Sequence, residues 1–538
     1  MAFDVVVIGS GSAGAAVAAG LAERSQVSVL LLEAGPADRD PRIRIPAASS
    51  ELWFGKLDWA YETEPQLGLD GRRDTWPRGR VLGGSSSINA TMYVRGMPED
   101  FDGWAAAGAT GWDAAAMLEA FRRIEDDERG PAPHRGGGGP LRIERQRDPR
   151  PVTHAFLDAC EELGLPRVDD YHLDPDGCAL TMVTQRNGRR WSAADAYLRQ
   201  AGSGRHPRTG RRSNLTVVSG ADVQRVVVED GRAVGVEVLV GGRKRFARAT
   251  HEVIVSAGAI GSPHLLLRSG IGPADDLRDL GVEVVADLPG VGSGLQDHLV
   301  AGVMAGTAGG SLYGADRDPR AMARWLRRGR GPLTSSIGEA IGFLRTTEGD
   351  PAPDIELIAI PAVMRDHARI RLPRHGITIG SILLRPRSRG KVRLASADPS
   401  APPIVDPGSL GDPEGDDLRR LTEGVRFAQR LLTETGSLGG IVEELIDPEQ
   451  RLTSDADVAA YIRRTAQTLY HPAGTCRMGS DDWSVVDPDL RVRGVDGLRV
   501  VDASVMPTLV RGHTHAPTVA IGDRAARLIA ADLDAPVG

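Results

Sequence analysis

The start of the chain places two short apolar runs on either side of one helical segment. Residues 5–8 form a β-branched run that predicts a buried strand. An Ala- and Leu-rich stretch to about Ala22 predicts a helix, and residues 27–32 form a second apolar run that ends on Glu33. The pattern therefore predicts a strand, a turn into a helix, and a second strand closed by an acidic residue.

The turn after the first strand is rich in glycine. Gly9, Gly11 and Gly14 have the spacing G-x-G-x-x-G. In a dinucleotide-binding turn the first glycine permits the tight turn, the second lets a pyrophosphate approach the backbone, and the third lets helix and strand pack closely. The helix N-terminus around Ser12 and Ala13 supplies free N–H groups and a partial positive charge for a phosphate.

Glu33 completes this fingerprint. It follows Gly14 by 33 − 14 = 19 residues, and an acid at this point can bond the hydroxyls of an adenosine ribose. The stretch therefore predicts a dinucleotide site, and NAD and FAD both remain open as its ligand.

Further along, the pattern changes repeatedly between strands and helices. Strands are predicted at residues 215–218, 223–228, 234–240, 252–256 and 498–501, and helices from Leu265, at 320–328, at 417–433, before 470 and at 518–533. Alternating residues at 377–384 and 391–394 predict an antiparallel sheet with a hairpin at Arg389 and Gly390. Residues 201–213 combine arginines with helix breakers and predict an exposed loop.

Composition indicates a soluble globular protein of two or more domains. Of 538 residues, 41% are hydrophobic and 25% charged, with a net charge of −7 of mixed sign that argues against nucleic acid as a partner. We expect no signal peptide and no membrane span. Three widely spaced cysteines, Cys160, Cys178 and Cys476, favour a reduced, cytoplasmic location, and no metal site is predicted.

A second glycine cluster runs from Gly79 to Gly96. Gly83 and Gly84 precede a run of small hydroxyl residues, which is compatible with another close approach of the backbone to a ligand. From these residues alone, a tight turn into a helix is the favoured interpretation, and a close approach to a ligand stays open as the alternative.

Taken together, the motifs resemble those of the glucose–methanol–choline (GMC) oxidoreductases, in a choline-dehydrogenase-like version. The matching segments are residues 9–33, 79–96, 258–272 (GAIGSPHLLLRSGIG) and 470–479 (YHPAGTCRMG) with 500–507 and His513, and they are joined by 291–298 and 384–390. The family implies an FAD-dependent enzyme that oxidises alcohols by hydride transfer to the flavin. The likeness extends over the whole chain.

The resemblance also implies an α/β (α+β) fold in two discontinuous domains. A Rossmann-like FAD-binding domain would comprise residues 1–150, 206–300 and 462–538. A substrate-binding domain, with an antiparallel sheet flanked by helices, would comprise residues 151–205 and 301–461.

Two histidines carry the predicted chemistry. Histidine suits a general base because its ordinary pKa lies near neutral pH. By resemblance, His471 is the base and His513 the hydrogen-bond partner of the substrate oxygen, although the two roles could be exchanged. For His515, a place at the flavin and a plain packing role are both open, and His264 and His298 are expected to be structural.

The resemblance further predicts the residues that hold FAD. They are Gly9, Gly11, Ser12, Ala13, Gly14, Glu33, Ala34, Arg80, Gly83, Gly84, Ser85, Asn89, Ala90, Thr91, Val223, Ala257, Tyr470, Asp502, Ala503, Thr514 and His515. Some family members attach FAD covalently through a histidine at the position of Ile88, so noncovalent FAD is expected here. Cys476 is expected to be a small buried residue rather than a redox thiol.

The expected partners are a small-molecule alcohol and an electron acceptor that is either oxygen or a carrier. Neither the alcohol nor the oligomeric state can be derived from the sequence. One alternative keeps the fold, the flavin and the histidines: a hydroxynitrile-lyase-type reaction without net redox.

Overall fold

The apolar runs near the N-terminus form the centre of a first sheet whose two faces are both covered. The computed structural model describes residues 2–199 and 214–534, so the loop predicted at 201–213 lies outside the described residues. In the strand Ala2–Ile8, Val5 to Val7 are fully buried, and all of Val29–Glu33 is buried. Unbroken apolar runs are typical of parallel strands that are covered on both sides.

The first sheet is assembled from three distant parts of the chain. Its parallel strands lie in the order Leu215–Ser219, Val29–Glu33, Ala2–Ile8, Arg243–Val255 and Leu498–Val500. An antiparallel extension adds Arg232–Val240 and Ala221–Glu229 beside Arg243–Val255. This is the mixed sheet expected of a Rossmann-like domain, and the predicted residue boundaries of the domains stay a prediction.

The first and last long helices, Ser12–Arg24 and His515–Asp534, pack against each other beside this sheet. Glycines permit the close contact: a Cβ on Gly20 would lie 2.6 Å from Cβ of Ala526, and one on Gly522 would lie 2.6 Å from the carbonyl oxygen of Ala13. Both helices therefore begin at the same place, near the carboxyl end of Ala2–Ile8.

A second, antiparallel sheet carries the other half of the molecule. Its strands lie in the order Val442–Asp447, Leu299–Thr307, Gly376–Leu383, Ile355–Ile360, Ala340–Leu344 and Cys178–Leu180, and Gln467–Thr468 also pairs with Leu299–Thr307. Helices Pro151–Glu162, Asp416–Thr433 and Asp455–Thr465 pack on it. The predicted fold class, a Rossmann-like domain with an antiparallel sheet flanked by helices, is confirmed.

Alternate residues of the second sheet have different surroundings. In Leu299–Thr307, the odd-numbered residues Leu299 to Ala305 belong to a hydrophobic core shared with the helices. The even-numbered Val300, Gly302 and Met304 line a large cavity on the opposite face. Side chains of a strand point alternately to the two faces of its sheet, so one strand serves both the core and the cavity.

The predicted hairpin at Arg389 and Gly390 is wrong. Gly376–Leu383 lies in the second sheet, whereas Gly390–Arg393 pairs with Ser293–Leu295 and Ile404–Asp406 in a separate small sheet. The chain turns away between them because Pro386 has no N–H for the ladder, and Asp417 accepts hydrogen bonds from the backbone N–H groups of Arg387 and Ser388.

The helix predicted from Leu265 starts earlier, at Gly258, and spans Gly258–Arg268 with Pro263 inside it. Proline cannot donate to the carbonyl four residues before it, which is that of Ala259. The hydroxyl of Thr475 donates to this oxygen at 2.6 Å instead. A side chain more than two hundred residues away thus allows the proline within the helix.

The remaining elements are shorter. The other α-helices are Pro98–Ala106, Ala114–Ile124, Ala274–Asp279 and Pro319–Arg328, and Ala194–Leu198 forms a π-helical turn. The 3₁₀ turns are Pro41–Arg44, Pro46–Leu52, Leu67–Leu69, Gly84–Ser87, Pro332–Thr334, Gly439–Ile441 and Ala503–Val505. Further strands are Tyr61–Glu62, Thr75–Trp76, Glu125–Asp127, Leu141–Arg145, Met182–Val183, Gln185–Arg186, Arg189–Arg190, Ile271–Gly272, Ala286–Asp287, Met364–Arg365 and Ile370–Arg371. Across residues 2–199 and 214–534, none of the helices combines the length and apolar character needed to cross a bilayer.

Candidate active site

The three glycines of the fingerprint have three different surroundings. Gly9 has a φ of 94°, in the left-handed region, and a Cβ on Gly14 would lie only 1.9 Å from the carbonyl oxygen of Gly9. A Cβ on Gly11 would meet no heavy atom of the described residues within 4 Å, and Gly11 borders the cavity. Gly9 and Gly14 therefore serve the turn and its packing, while Gly11 leaves room for a ligand.

Glu33 is held by the backbone of this turn. Its Oε2 accepts hydrogen bonds from the Ser10 N–H at 3.0 Å and the Ser10 hydroxyl at 2.6 Å, and its Oε1 accepts one from the Gly35 N–H at 2.8 Å. Burial raises the pKa of this carboxyl group. The Ser10 hydroxyl oxygen also accepts a hydrogen bond from the Gly83 N–H at 3.1 Å, so Ser10 joins the two glycine clusters.

The second glycine cluster touches the first. A Cβ on Gly84 would lie 2.7 Å from Cα of Gly11. Beyond the 3₁₀ turn Gly84–Ser87, Asn89 lines the cavity and its Oδ1 accepts hydrogen bonds from the buried guanidinium of Arg190 at 2.6 Å and from the Thr91 N–H at 3.0 Å. The cluster is thus a turn into a short helix that also borders the cavity.

One cavity of about 1230 Å³ connects these elements with the predicted catalytic histidines. Its lining includes His471 and His513 and most of the predicted FAD residues: Gly9, Gly11, Ser12, Ala13, Glu33, Ala34, Arg80, Gly84, Ser85, Asn89, Ala90, Val223, Ala257, Tyr470, Asp502, Ala503, Thr514 and His515. Gly14, Gly83 and Thr91 do not border the cavity. The first two shape the backbone behind it, and Thr91 is fully buried.

His515 lines this cavity and has one buried ring nitrogen without a hydrogen-bond partner among the described residues. Its Nδ1 lies 2.7 Å from the Ser12 hydroxyl oxygen, whereas its Nε2 is buried and has no hydrogen-bond partner among the described residues. Burial, with a smaller effect of the Arg190 charge, lowers the pKa of His515 to about 4, so the ring is neutral at physiological pH. The open space at Gly11 leaves room for a dinucleotide, and the two expected roles of His515 both stay predictions.

At the other end of the cavity, three histidines lie in contact. His471 Nδ1 is 2.9 Å from His298 Nδ1, and the rings of His471 and His513 have centroids 4.8 Å apart. His513 Nε2 lies 3.0 Å from Oε1 of Glu356, which is fully buried. The fold thus brings together the two predicted residues, 42 positions apart in sequence, and adds two more.

Hydrogen bonding determines which nitrogens carry protons. Burial lowers the pKa of His298 to about 3, so this ring is neutral. Its Nε2 lies 3.1 Å from the Leu384 carbonyl oxygen, which can only accept, so Nε2 carries the proton and Nδ1 accepts from His471. His471 Nδ1 is therefore the protonated nitrogen of its ring.

His471 is also neutral. Burial holds its pKa well below the ordinary value, and the neighbouring His513, His298 and Arg78 further disfavour a positive charge on this ring. With the proton on Nδ1, Nε2 carries a lone pair, and it forms no hydrogen bond to any residue within 2–199 and 214–534. The arrangement provides a proton acceptor on a residue that lines the cavity.

The backbone around His471 is fixed as well. The His471 N–H donates to Asp297 Oδ1 at 2.7 Å, and Arg78 donates to the Tyr470 carbonyl oxygen at 2.6 Å. The Tyr470 hydroxyl lies 2.8 Å from His367 Nδ1, and Asp74 Oδ1 lies 2.5 Å from the other nitrogen of His367. Contacts from three separate segments therefore hold Tyr470 and His471 in place.

Sequence reasoning missed His298 and Glu356. His298, expected to be structural, contacts the predicted base directly. Glu356 lies in the strand Ile355–Ile360, where it is the single charged residue among apolar ones. An acid in such a run, expected to be buried, is a usable signal of a functional partner. Cys476, in contrast, is buried as expected.

Comparison with known proteins places this geometry in context. A family model for GMC oxidoreductases matches residues 3–300, and a second matches residues 386–522. Mitochondrial choline dehydrogenase of Homo sapiens is 40% identical over 99% of this chain and 92% of its own, and alcohol dehydrogenase [acceptor] of Pseudomonas putida is 37% identical over 100% and 98%. The crystal structure of pyridoxine 4-oxidase from Mesorbium loti is similar with a TM-score of 0.88 and 34% identity, over 97% of this chain and 98% of that one.

Substitutions at the second and third glycines of the fingerprint should distinguish packing from cofactor binding. Gly14→Ala drives a Cβ into the Gly9 carbonyl and should lower the free energy of unfolding by about 1–3 kcal/mol, with or without FAD. Gly11→Ala should leave the unfolding of the FAD-free protein unchanged but weaken FAD binding about tenfold, or 1.4 kcal/mol. Thermal unfolding and FAD titration measure both effects.

Gly103→Ala is the matched control, because this helical glycine also has open space around its would-be Cβ. Helix propensity predicts that it stabilises the protein by about 1 kcal/mol or less and leaves FAD affinity unchanged. Equal losses of stability in Gly11→Ala and Gly14→Ala would contradict the assignment.

Proposed function

Since the chain belongs to the GMC oxidoreductase family, we propose that it oxidises an alcohol at the end of the cavity where His471 and His513 meet. The protein is an FAD-dependent oxidoreductase that acts on CH–OH groups. The observation that carries the proposal is the hydrogen-bond chain from Leu384 through His298 to His471, which leaves His471 Nε2 without a proton.

His471 is proposed as the general base. Its Nε2 accepts the proton of the substrate hydroxyl, because the Nδ1 proton is engaged by His298. Proton transfer to a positioned base contributes about 10²- to 10⁴-fold in rate. A low pKa keeps this nitrogen unprotonated over the physiological range, so His471 is ready before substrate enters.

His513 is proposed to donate a hydrogen bond to the substrate oxygen. Its Nε2 faces Glu356 Oε1, and a carboxylate can only accept, so Nε2 carries a proton. The His513 ring thus faces the carboxyl group of Glu356, whereas the His471 ring faces the His298 ring. This asymmetry supports the predicted assignment of the two roles over the exchanged one.

FAD, when bound, supplies the acceptor for the hydride that leaves the carbinol carbon. The two glycine clusters, Ser12 and His515 would hold its phosphates and flavin, with Glu33 at the adenosine ribose. Ile88 has no nucleophilic atom, so nothing at that position can form the covalent link found in some family members. The proposal holds for either electron acceptor, oxygen or a carrier.

Anaerobic mixing with a panel of alcohols tests the function. We expect the absorbance of the bound flavin to bleach on mixing, because the hydride has no other acceptor. The names of the relatives, dehydrogenases and oxidases, support oxidation over the lyase alternative. Cyanide release from a cyanohydrin without bleaching would favour the lyase, and purified protein free of FAD would contradict a flavin reaction.

Asparagine variants distinguish the two histidine roles. His471→Asn should slow flavin reduction by about 10²-fold or more, because an amide is not a base. His513→Asn should cost only about tenfold, because its amide still donates a hydrogen bond. Stopped-flow reduction rates and FAD content measure the result, with FAD retained in both variants.

The exposed His154 provides the control, and His154→Asn should reduce its flavin at the wild-type rate. His471→Ala should likewise lose most of its turnover and keep FAD. A larger loss in His513→Asn than in His471→Asn would exchange the roles, and wild-type rates in both would exclude a histidine base.

The pH dependence follows from the lowered pKa of His471. A base with a lowered pKa stays unprotonated to lower pH, so activity is lost only as the pH falls through that lowered value. We expect kcat/KM for flavin reduction to reach half its plateau below pH 6.5, the ordinary histidine value. A half-point at or above 6.5 would contradict the neutral, buried base.

A further inference from the structure

The substrate end of the cavity has a floor formed by three neighbouring strands of the second sheet. Leu299–Thr307, Gly376–Leu383 and Ile355–Ile360 lie side by side in antiparallel register. Gly302 is opposite Gly380, which is opposite Ile358, and in the next row Met304 is opposite Thr378, which is opposite Ile360. Directly opposed residues point to the same face, so each row presents one strip of surface to the cavity.

We call these residues the cavity floor: Val300, Gly302, Met304, Ile358, Ile360, Thr378 and Gly380, all of which line the cavity. The floor adjoins the reaction site at one end. Val300 follows His298 by two residues, and the strand Leu299–Thr307 begins directly after His298. Val300 shares its row with Glu356, the partner of His513.

Methyl groups form most of this surface. A Cβ on Gly380 would lie 2.8 Å from Ile358 Cγ2 and 3.0 Å from Val300 Cγ2, so these methyls lean over the glycine. A Cβ on Gly338 would lie 2.6 Å from Met92 Sδ and 2.5 Å from Ile358 Cδ1, which extends the apolar surface to the Asn89 segment. A molecule lying on the floor therefore meets carbon and sulfur atoms.

Among the described residues, the floor has no polar side chain that is free to donate a hydrogen bond to a substrate. The hydroxyl of Thr378 donates to the Ala362 carbonyl oxygen at 2.7 Å. Glu356 is buried behind His513 and does not line the cavity. A polar or charged group of a substrate would lose its water here without gaining a partner, which is costly.

The aromatic rings near the histidines do not offer a cation site either. Trp53 and Tyr470 pack on each other with ring centroids 5.0 Å apart. The charges of Asp74 and Asp297 act on the Tyr470 hydroxyl, and those of Arg369 and Arg78 oppose them, while Arg78 donates to the Tyr470 carbonyl oxygen. Both carboxylates already have partners, because Asp74 contacts His367 and Asp297 accepts from the His471 N–H.

Three acids that line the cavity, Asp447, Asp366 and Asp74, are already paired. Asp447 Oδ2 lies 3.1 Å from Arg365 Nε, and Asp366 Oδ1 lies 3.2 Å from an Arg369 nitrogen. Asp74 contacts His367. None of these three carboxylates is left as a counter-charge for a cationic substrate.

From these contacts we infer that the substrate is an uncharged alcohol with a hydrocarbon body, which lies on the cavity floor while its hydroxyl reaches His471 and His513. A quaternary ammonium alcohol such as choline is excluded as the preferred substrate, even though choline dehydrogenases are among the relatives. This inference rests on the proposed function, because it assigns the substrate of the same site.

A matched pair of alcohols tests the inference. Choline and 3,3-dimethylbutan-1-ol have the same shape, and they differ in whether nitrogen or carbon bears the three methyl groups. Anaerobic flavin reduction of the holoenzyme should show a kcat/KM at least about tenfold higher for the neutral compound, since the cation finds neither an aromatic face nor a free carboxylate. Among unbranched alkanols, kcat/KM should rise about three- to fourfold for each methylene added, until the floor is covered.

A variant locates the effect on the floor. Val300→Thr keeps the shape but replaces a methyl by a hydroxyl, and it should lower the kcat/KM ratio of long to short alkanols severalfold. Val217→Thr, at a partly exposed strand residue of the first sheet, is the control and should keep the wild-type ratio.

The outcomes separate the two proposals. A kcat/KM for choline equal to or above that for 3,3-dimethylbutan-1-ol would overturn the inference and leave alcohol oxidation standing. A kcat/KM that does not change with the chain length of the alkanol would have the same consequence. Failure of every alcohol to reduce the flavin would overturn the proposed function and this inference with it.

Discussion

The contact between Ser12 and His515 joins the two ends of a very long loop of chain. Their side chains lie 2.7 Å apart although 503 residues separate them. The contact forms because the first and last long helices pack through Gly20 and Gly522, so both begin at the same corner of the first sheet. Two helix N-termini at one point create a partial positive charge that neither could supply alone. The proposed dinucleotide site therefore combines residues from both ends of the chain.

At the opposite end of the cavity, the two predicted catalytic histidines have chemically different partners. One faces a second neutral histidine, and the other faces a carboxylate. Glu356 lies in a strand of the second sheet, and His298 directly precedes another strand of that sheet. His471 and His513 lie in the later part of the chain, which returns to the first sheet. The different surroundings of His471 and His513 therefore arise where the two halves of the molecule meet.

Local patterns were sufficient to predict what depends on local structure. The strand, turn and helix around Gly9 to Gly14, the second strand ending on Glu33, and the last helix all follow from the spacing of apolar residues and glycines. Features set by distant contacts could not be found this way. The chain leaves the second sheet after Leu383 because Asp417 binds Arg387 and Ser388, and the helix begins at Gly258 because Thr475 compensates for Pro263. The pairing of His298 with His471 depends on the same kind of long-range placement.

The alternation of residues along Leu299–Thr307 has a consequence for how such an enzyme can diverge. Core residues and floor residues never occupy the same position, since they point to opposite faces of one strand. Substitutions at the floor positions of this strand leave its packing against the helices of the second sheet intact. The same strand begins beside His298, so the contact between His298 and His471 is preserved while the surface two residues away changes. Descendants of one ancestral protein can thus acquire new substrates in small steps, each of which still folds and still carries out the same chemistry.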